Sequence, residues 1–262
     1  MIRLGAVGYL NARPLVYGLE RVPRFDIRYD IPAECARLLH GRETDVGLIP
    51  SIEYLRGPKP YAIVPGAGVT SKGPVASVAV YTRRDPHDIR TIAVDSSSRT
   101  SVALATVLLQ RQFGITPEAV SMAPELDQML ACADAALIIG DVALFLGDGA
   151  SGAAKLDLGE IWTQSTGLPF VYAVWTGWPD AATPDDVAAL QHARDEGVAH
   201  ADAVAQAYYP DDRDRQTIAA RYLRDNIRYR VGDEELEGLR TFFRYAAELN
   251  LASFDGTLRF FR

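Results

Sequence analysis

The chain has 262 residues, 48% of them hydrophobic and 23% charged, and carries a formal net charge of −7. That acidic balance argues against nucleic acid or an anionic membrane as the main partner, because both need an extended basic surface, whereas a small anion needs only a few local N–H groups and cations. No apolar run approaches the ~18–20 residues of a membrane span, and "MIRLGAVGYL" opens on a strand pattern without a signal-peptide layout, so the reading is a cytoplasmic protein.

The first element is a short apolar strand, "IRLGAV" (2–7), leading into a helix predicted over Asn11 to Glu20. Pro14 falls in that helix's first turn, where a missing N–H costs nothing. "IPAECARLLHG" (31–41) reads as a helix ended by Gly41, and "TDVGLIP" (44–50) as a buried strand followed by a short helix that Ser51 can cap. "YAIVPG" (61–66) and "VASVAVYT" (75–82) are strands separated by a Gly/Ser/Lys loop, and "RDPHDIR" (84–90) is a polar connection. The strand "TIAVD" (91–95) precedes "SSSRT" and a long helix, Ser101 to Phe113. Two further strands, in 133–141 and 169–176, precede a second connection, "GWPDAATPDD" (177–186). From Thr183, an N-cap with Pro184 as first helical residue, the pattern is helical, with helices around Arg213–Arg224 and Asp233–Leu249. Alternating strands and helices predict an α/β fold with mainly parallel sheets flanked by helices. Two connections around a central block predict a discontinuous first lobe, 1–82 plus 175–262, an inserted second lobe, 83–174, and a cleft between them. Cys35 and Cys132 read as reduced packing residues.

Ligands of such folds sit at the carboxyl ends of strands, which selects the candidate residues. Ser97, Ser98, Arg99, Thr100 and Ser101 lie between a strand and a long helix, where free N–H groups and hydroxyls form either a carboxylate or phosphate receptor or merely a cap cluster. Asn11 and Asp141 sit where a helix cap belongs and are cap or site. Ser51 and Glu53 follow a strand, Lys72 and Gly73 touch an anion or make a turn, and Ser77 is a small residue inside a strand. His40, His87, His192 and His200 have no metal-ligand spacing, and no P-loop, G-x-S-x-G elbow or post-strand G-x-G-x-x-G occurs, so neither metal nor cofactor is expected.

"GYLNARPL", "DVGLIPSIEY", "SKGPVASVAVYT", "DSSSRTSVALATVLL", "DAALIIGDVAL" and "TGLPFVYAVW" occur in this order through residue 178. As a set they resemble the chorismate dehydratase family of futalosine-type menaquinone biosynthesis. The sister 1,4-dihydroxy-6-naphthoate synthases normally open on a Ser-Pro-Cys-Pro-Asn-type motif, which is missing here. The resemblance implies a two-lobed type II periplasmic-binding-protein-like fold acting as a cytoplasmic lyase on chorismate, without cofactor. It implies Asn11 and Ser77 as the functional pair and Ser98–Ser101 as the holder of a substrate carboxylate. No motif supplies a general base, which leaves the substrate's own enolpyruvyl carboxylate, Asp141 or Glu53. The competing readings are a non-catalytic small-anion binding module of the same fold and the sister synthase; a homo-oligomer stays open.

Overall fold

The computed structural model describes residues 1–95 and 98–262. The chain first lays down β1 (Ile2–Val7), β2 (Phe25–Asp30), β3 (Val46–Pro50) and β4 (Ala62–Ser71). It crosses over to build β5 (Val78–Thr82), β6 (Thr91–Asp95), β7 (Glu118–Met122), β8 (Ala135–Ile139) and β9 (Ala154–Asp157), then returns with β10 (Phe170–Gly177). Two five-stranded sheets result, ordered β2-β1-β3-β10-β4 and β7-β6-β8-β5-β9. Helices α1 (Pro32–His40) and α2 (Glu53–Arg56) belong to the first part. The second part carries α3 (Thr100–Phe113), α4 (Leu126–Cys132), α5 (Gly140–Phe145) and α6 (Leu158–Thr166). A tail of α7 (Pro184–Ala199), α8 (Ala201–Tyr208), α9 (Arg213–Asp225) and α10 (Asp233–Glu248) packs back on the first sheet.

Both sheets are mixed rather than mainly parallel. β1 pairs parallel with β2 and β3, and β6 with β7 and β8, whereas β10 runs antiparallel to β3 and β4, and β5 to β8 and β9. The antiparallel strands are the two that arrive from the other sheet, so no right-handed helical crossover dictates their direction. The expected crossings at 82/83 and 174/175 shift accordingly. Val78–Thr82 pairs into the second sheet and Phe170–Gly177 wholly into the first. The chain therefore changes sheet between Ser71 and Val78, and again between Asp157 and Phe170. The Pro-containing stretch at 84–90 makes only a 3₁₀ turn, Pro86–Asp88, on the way to β6.

The helix expected over Asn11–Glu20 forms instead as two 3₁₀ segments, Leu10–Val16 and Leu19–Arg21, parted at Gly18 with φ +74°. Pro14 lies inside the first segment rather than at its start. Lacking an N–H and restricting Arg13 before it, Pro14 disfavours a regular α-helix there. α7 rests directly on this elbow: a Cβ added at Gly197 would lie 2.1 Å from the Pro14 carbonyl oxygen. The predicted start of α7 is found, with Thr183 and Asp186 forming a reciprocal capping box. Trp162, Trp175, Tyr61, Phe170, Phe242 and Phe243 are fully buried, each large ring contributing on the order of 2–3 kcal/mol by leaving water. Cys35 is buried as expected, whereas Cys132 is exposed; both are free thiols.

Candidate active site

A cavity opens between the two sheets. The first sheet and its elbow contribute Tyr9, Asn11, Pro50 and Tyr172; the second contributes Ser77, Ser98, Arg99, Thr100, Ser101 and Gly140. Six of the sequence-selected residues thus meet in one place. Among the described residues that line it there is neither a carboxylate nor a histidine, and Arg99 is the one charged group.

The anion-receptor geometry comes from β6 ending at Asp95 and α3 starting at Thr100. Ser98, Thr100 and Ser101 are each at least nine-tenths buried. The 14-residue α3 aims its free first-turn N–H groups and the positive end of its dipole at the cavity. Among the described residues the buried Ser98 hydroxyl has no hydrogen-bond partner. A hydroxyl in that state costs ~1–3 kcal/mol unless a ligand satisfies it. Arg99 is exposed at the mouth and forms no ion pair among the described residues. Thr100 ties the lobes together: its Oγ1 accepts the Ile52 N–H at 3.2 Å and lies 3.4 Å from Ser51 Oγ.

Asn11 and Ser77 reach the cavity by different routes. Asn11 is the second residue of the 3₁₀ elbow and not a helix cap; the N-cap position is Tyr9, which makes no side-chain cap bond. Ser77 directly precedes β5 rather than lying within a strand. Since β5 runs antiparallel to β8, with Val78 opposite Ile139, its amino end lies beside the carboxyl end of β8. Ser77 Oγ is 2.6 Å from the hydroxyl of Tyr222 on α9, and the Asn11 side chain lies close to that same phenol. Burial drives the Tyr222 phenol well above its ordinary pKa, so it stays protonated. Nothing in "AARYLRD" marks Tyr222 as more than a core residue of an amphipathic helix.

The other candidates lie outside the cavity. Ser51 is buried behind it, donating to the Val171 carbonyl at 2.8 Å instead of capping α2. Lys72 is ion-paired with Glu234, and the Gly73 N–H donates to Thr163 Oγ1 at 2.8 Å. Asp141 does not cap its own helix. Its carboxylate accepts the Leu10 N–H at 3.2 Å and the Tyr208 hydroxyl at 2.5 Å, closing the elbow's first turn from across the cleft. Burial raises the Asp141 pKa against those bonds. Burial likewise opposes ionisation of Glu53, but His40 at 3.0 Å and Arg56 at 2.9 Å prevail and hold its pKa below the usual range, with both oxygens occupied. Ser97 lies outside the described residues. No group of three or more metal-binding side chains is assembled among the described residues, and no helix there is long and apolar enough to cross a membrane.

Two lobes of mixed α/β sheet with the ligand cavity between them are the architecture of the periplasmic binding proteins. The solved structures agree. A structural-genomics protein of Archaeoglobus fulgidus superposes with a TM-score of 0.69 at 19% identity, over 95% of this chain and 98% of that one. The ligand-binding component of an ABC-type import system from Staphylococcus aureus does so at 0.66 and 10% identity, over 99% and 96%. The family is narrower than the fold. A family model described as menaquinone biosynthesis matches residues 2–248. A chorismate dehydratase of Thermus thermophilus is 30% identical over 91% of this chain and 93% of its own length. The chain belongs to this menaquinone-biosynthesis family.

Proposed function

We propose that this protein is a chorismate dehydratase acting in the cytoplasm, which removes water from chorismate to give 3-[(1-carboxyvinyl)oxy]benzoate for menaquinone biosynthesis by the futalosine pathway. The observation that carries the reading is the lining of the cavity: hydroxyls, one amide, one guanidinium and a helix N-terminus, with no acid or histidine among the described lining residues. Such a site binds a dianion and stabilises developing charge, but it offers no protein base.

Chorismate supplies what the site lacks. Its C3 proton is vinylogous to the ring carboxylate, and the enolpyruvyl carboxylate on the C3 oxygen is held within the same molecule. In this mechanism that carboxylate takes the C3 proton. The charge spreads as a dienolate onto the ring carboxylate, where Ser98, Thr100, Ser101, the α3 N-terminus and Arg99 receive it. The C4 hydroxyl, hydrogen-bonded by Asn11 and Ser77, then takes that proton from the enolpyruvyl carboxylic acid and leaves as water while the ring becomes aromatic. Aromatisation provides the driving force, so orientation is the protein's main contribution.

Ultraviolet absorption tests the reading directly, since loss of the cyclohexadiene and gain of a benzoate chromophore report turnover. Tight binding of chorismate without spectral change would favour a non-catalytic anion-binding module, and absence of binding would favour the sister synthase. Asn11→Ala is expected to lower kcat ~100-fold with little change in melting temperature, because Asn11 caps no helix. A near-wild-type rate would remove Asn11 from the mechanism.

A further inference from the structure

We propose that Tyr222 is a positioning residue that sets the hydrogen-bond polarity of the Asn11–Ser77 pair, accepting from the Asn11 amide and donating to Ser77 Oγ. This inference deepens the dehydratase reading and rests on it. Tyr222 does not line the cavity; it stands behind the two residues that do, with its hydroxyl 2.6 Å from Ser77 Oγ and close to the Asn11 side chain. A protonated phenol has one hydrogen to give and lone pairs to receive.

Two arrangements satisfy the triplet. In one, Ser77 donates to the phenol, which donates to the Asn11 carbonyl; Ser77 then has no proton left for the cavity. In the other, the Asn11 NH₂ donates to the phenol and the phenol donates to Ser77 Oγ. Phenol is a far stronger acid than an aliphatic alcohol, so in a Tyr–Ser pair the phenol is the better donor and the serine the better acceptor. The second arrangement follows, and it leaves the Ser77 proton for a departing hydroxyl, with the Asn11 Oδ1 turned away from the phenol. Ser77 is further constrained from the other side. Asn226, just past the end of α9, donates to the Pro74 carbonyl at 2.9 Å, fixing the crossing segment against the same helix.

The neighbouring Tyr229 supplies the control. It is also buried, but its hydroxyl has no hydrogen-bond partner among the described residues. Tyr222→Phe is expected to lower kcat by ~10- to ~100-fold with KM changed less than about threefold, while Tyr229→Phe leaves kcat at the wild-type value. Adding Ser77→Ala to Tyr222→Phe is expected to cost much less than Ser77→Ala alone, since both act through one chain of bonds. Independently of turnover, the Asn11 side-chain amide resonances in ¹⁵N-labelled protein are expected to move in Tyr222→Phe and stay in place in Tyr229→Phe. An unchanged kcat, additive costs, or unmoved Asn11 resonances would each overturn the assignment. Were wild-type protein to leave chorismate untouched, the dehydratase reading would fall, while the resonances would still decide the role of Tyr222. If Tyr222→Phe does not fold, 3,5-difluorotyrosine at position 222 keeps the hydroxyl and the shape but strengthens the donor. The same resonances and kcat must then shift, and their constancy would refute the role.

Discussion

The carboxylate of Asp157 accepts the backbone N–H of Ala76 at 2.7 Å and that of Val75 at 3.0 Å, while the same side chain caps α6 through the N–H of Glu160. One acid at the end of β9 therefore fixes the segment where the chain passes between sheets. It also holds Ala76 at φ +64°, a left-handed conformation that an alanine avoids unless its surroundings impose it. Ser77 is the next residue, so its aim into the cavity depends on this clamp. Asp157→Ala is expected to cost ~1–2 kcal/mol of stability through the lost cap, together with a fall in kcat larger than that loss alone would cause. Thermal unfolding and saturation kinetics on the same preparation check it; a destabilised variant with full kcat would show that Ser77 is held by other contacts.

Gly140 lies at the start of α5 with φ +64°, and a Cβ built there would lie 3.0 Å from the Tyr9 ring. Gly140→Ala combines a strained backbone, costing about 1–2 kcal/mol, with a push on an aromatic wall of the cavity. The expected outcome is a lower melting temperature together with a raised KM, read from thermal scans and from chorismate titration.

Asp141 gives a pH prediction with a definite sign. Burial raises its pKa above the ordinary 3.8, so the folded chain binds this proton more tightly than the unfolded chain. Its ionisation therefore opposes folding. The penalty is complete at neutral pH and disappears as the pH falls through the raised folded value toward 3.8. Asp141→Asn removes the charge, so the stability of wild type relative to this variant should rise on acidification from pH 7. Denaturant melts across that range measure it. Because the carboxylate is occupied by Leu10 and Tyr208, kcat of this variant should stay within about threefold of wild type. A kcat loss of ~100-fold with unchanged KM would make Asp141 the base and end the substrate-assisted mechanism.

The part of the site legible in the sequence is the part built locally. Ser98 to Ser101 were visible because a strand, a run of hydroxyls and a long helix are contiguous, and the geometry of a helix N-terminus follows from that order. Asn11 was visible as a polar residue after a strand, although its 3₁₀ setting was not, since Pro14 reads equally well as an α-helix opener. Tyr222, Asp157 and the latch of Asp141 on Leu10 were illegible for one reason. Each acts on a backbone or side chain far along the chain, 145 residues in the case of Tyr222 and Ser77, and only the crossing of the sheets brings them together. The edge strand β7 was missed because four of its five residues are exposed and show no apolar alternation.

Ser98 separates stability from binding by opposite signs. Its hydroxyl is buried without a partner among the described residues, so the folded state carries a desolvation cost of ~1–3 kcal/mol. Ser98→Ala removes the hydroxyl and keeps the fold of a buried, small side chain, so the free protein should melt at the same temperature or higher. In the dehydratase mechanism the same hydroxyl donates to the ring carboxylate of chorismate, and its loss should weaken binding ~10-fold, the worth of a charge-assisted hydrogen bond. Ligand stabilisation follows the logarithm of concentration over Kd, so the rise in melting temperature with added chorismate should be smaller in the variant than in wild type. The two melting curves, without and with chorismate, should therefore draw closer together from both sides. A variant that melts lower on its own, yet gains the full increment from chorismate, would mean that the hydroxyl serves the fold and that the carboxylate is held elsewhere on α3.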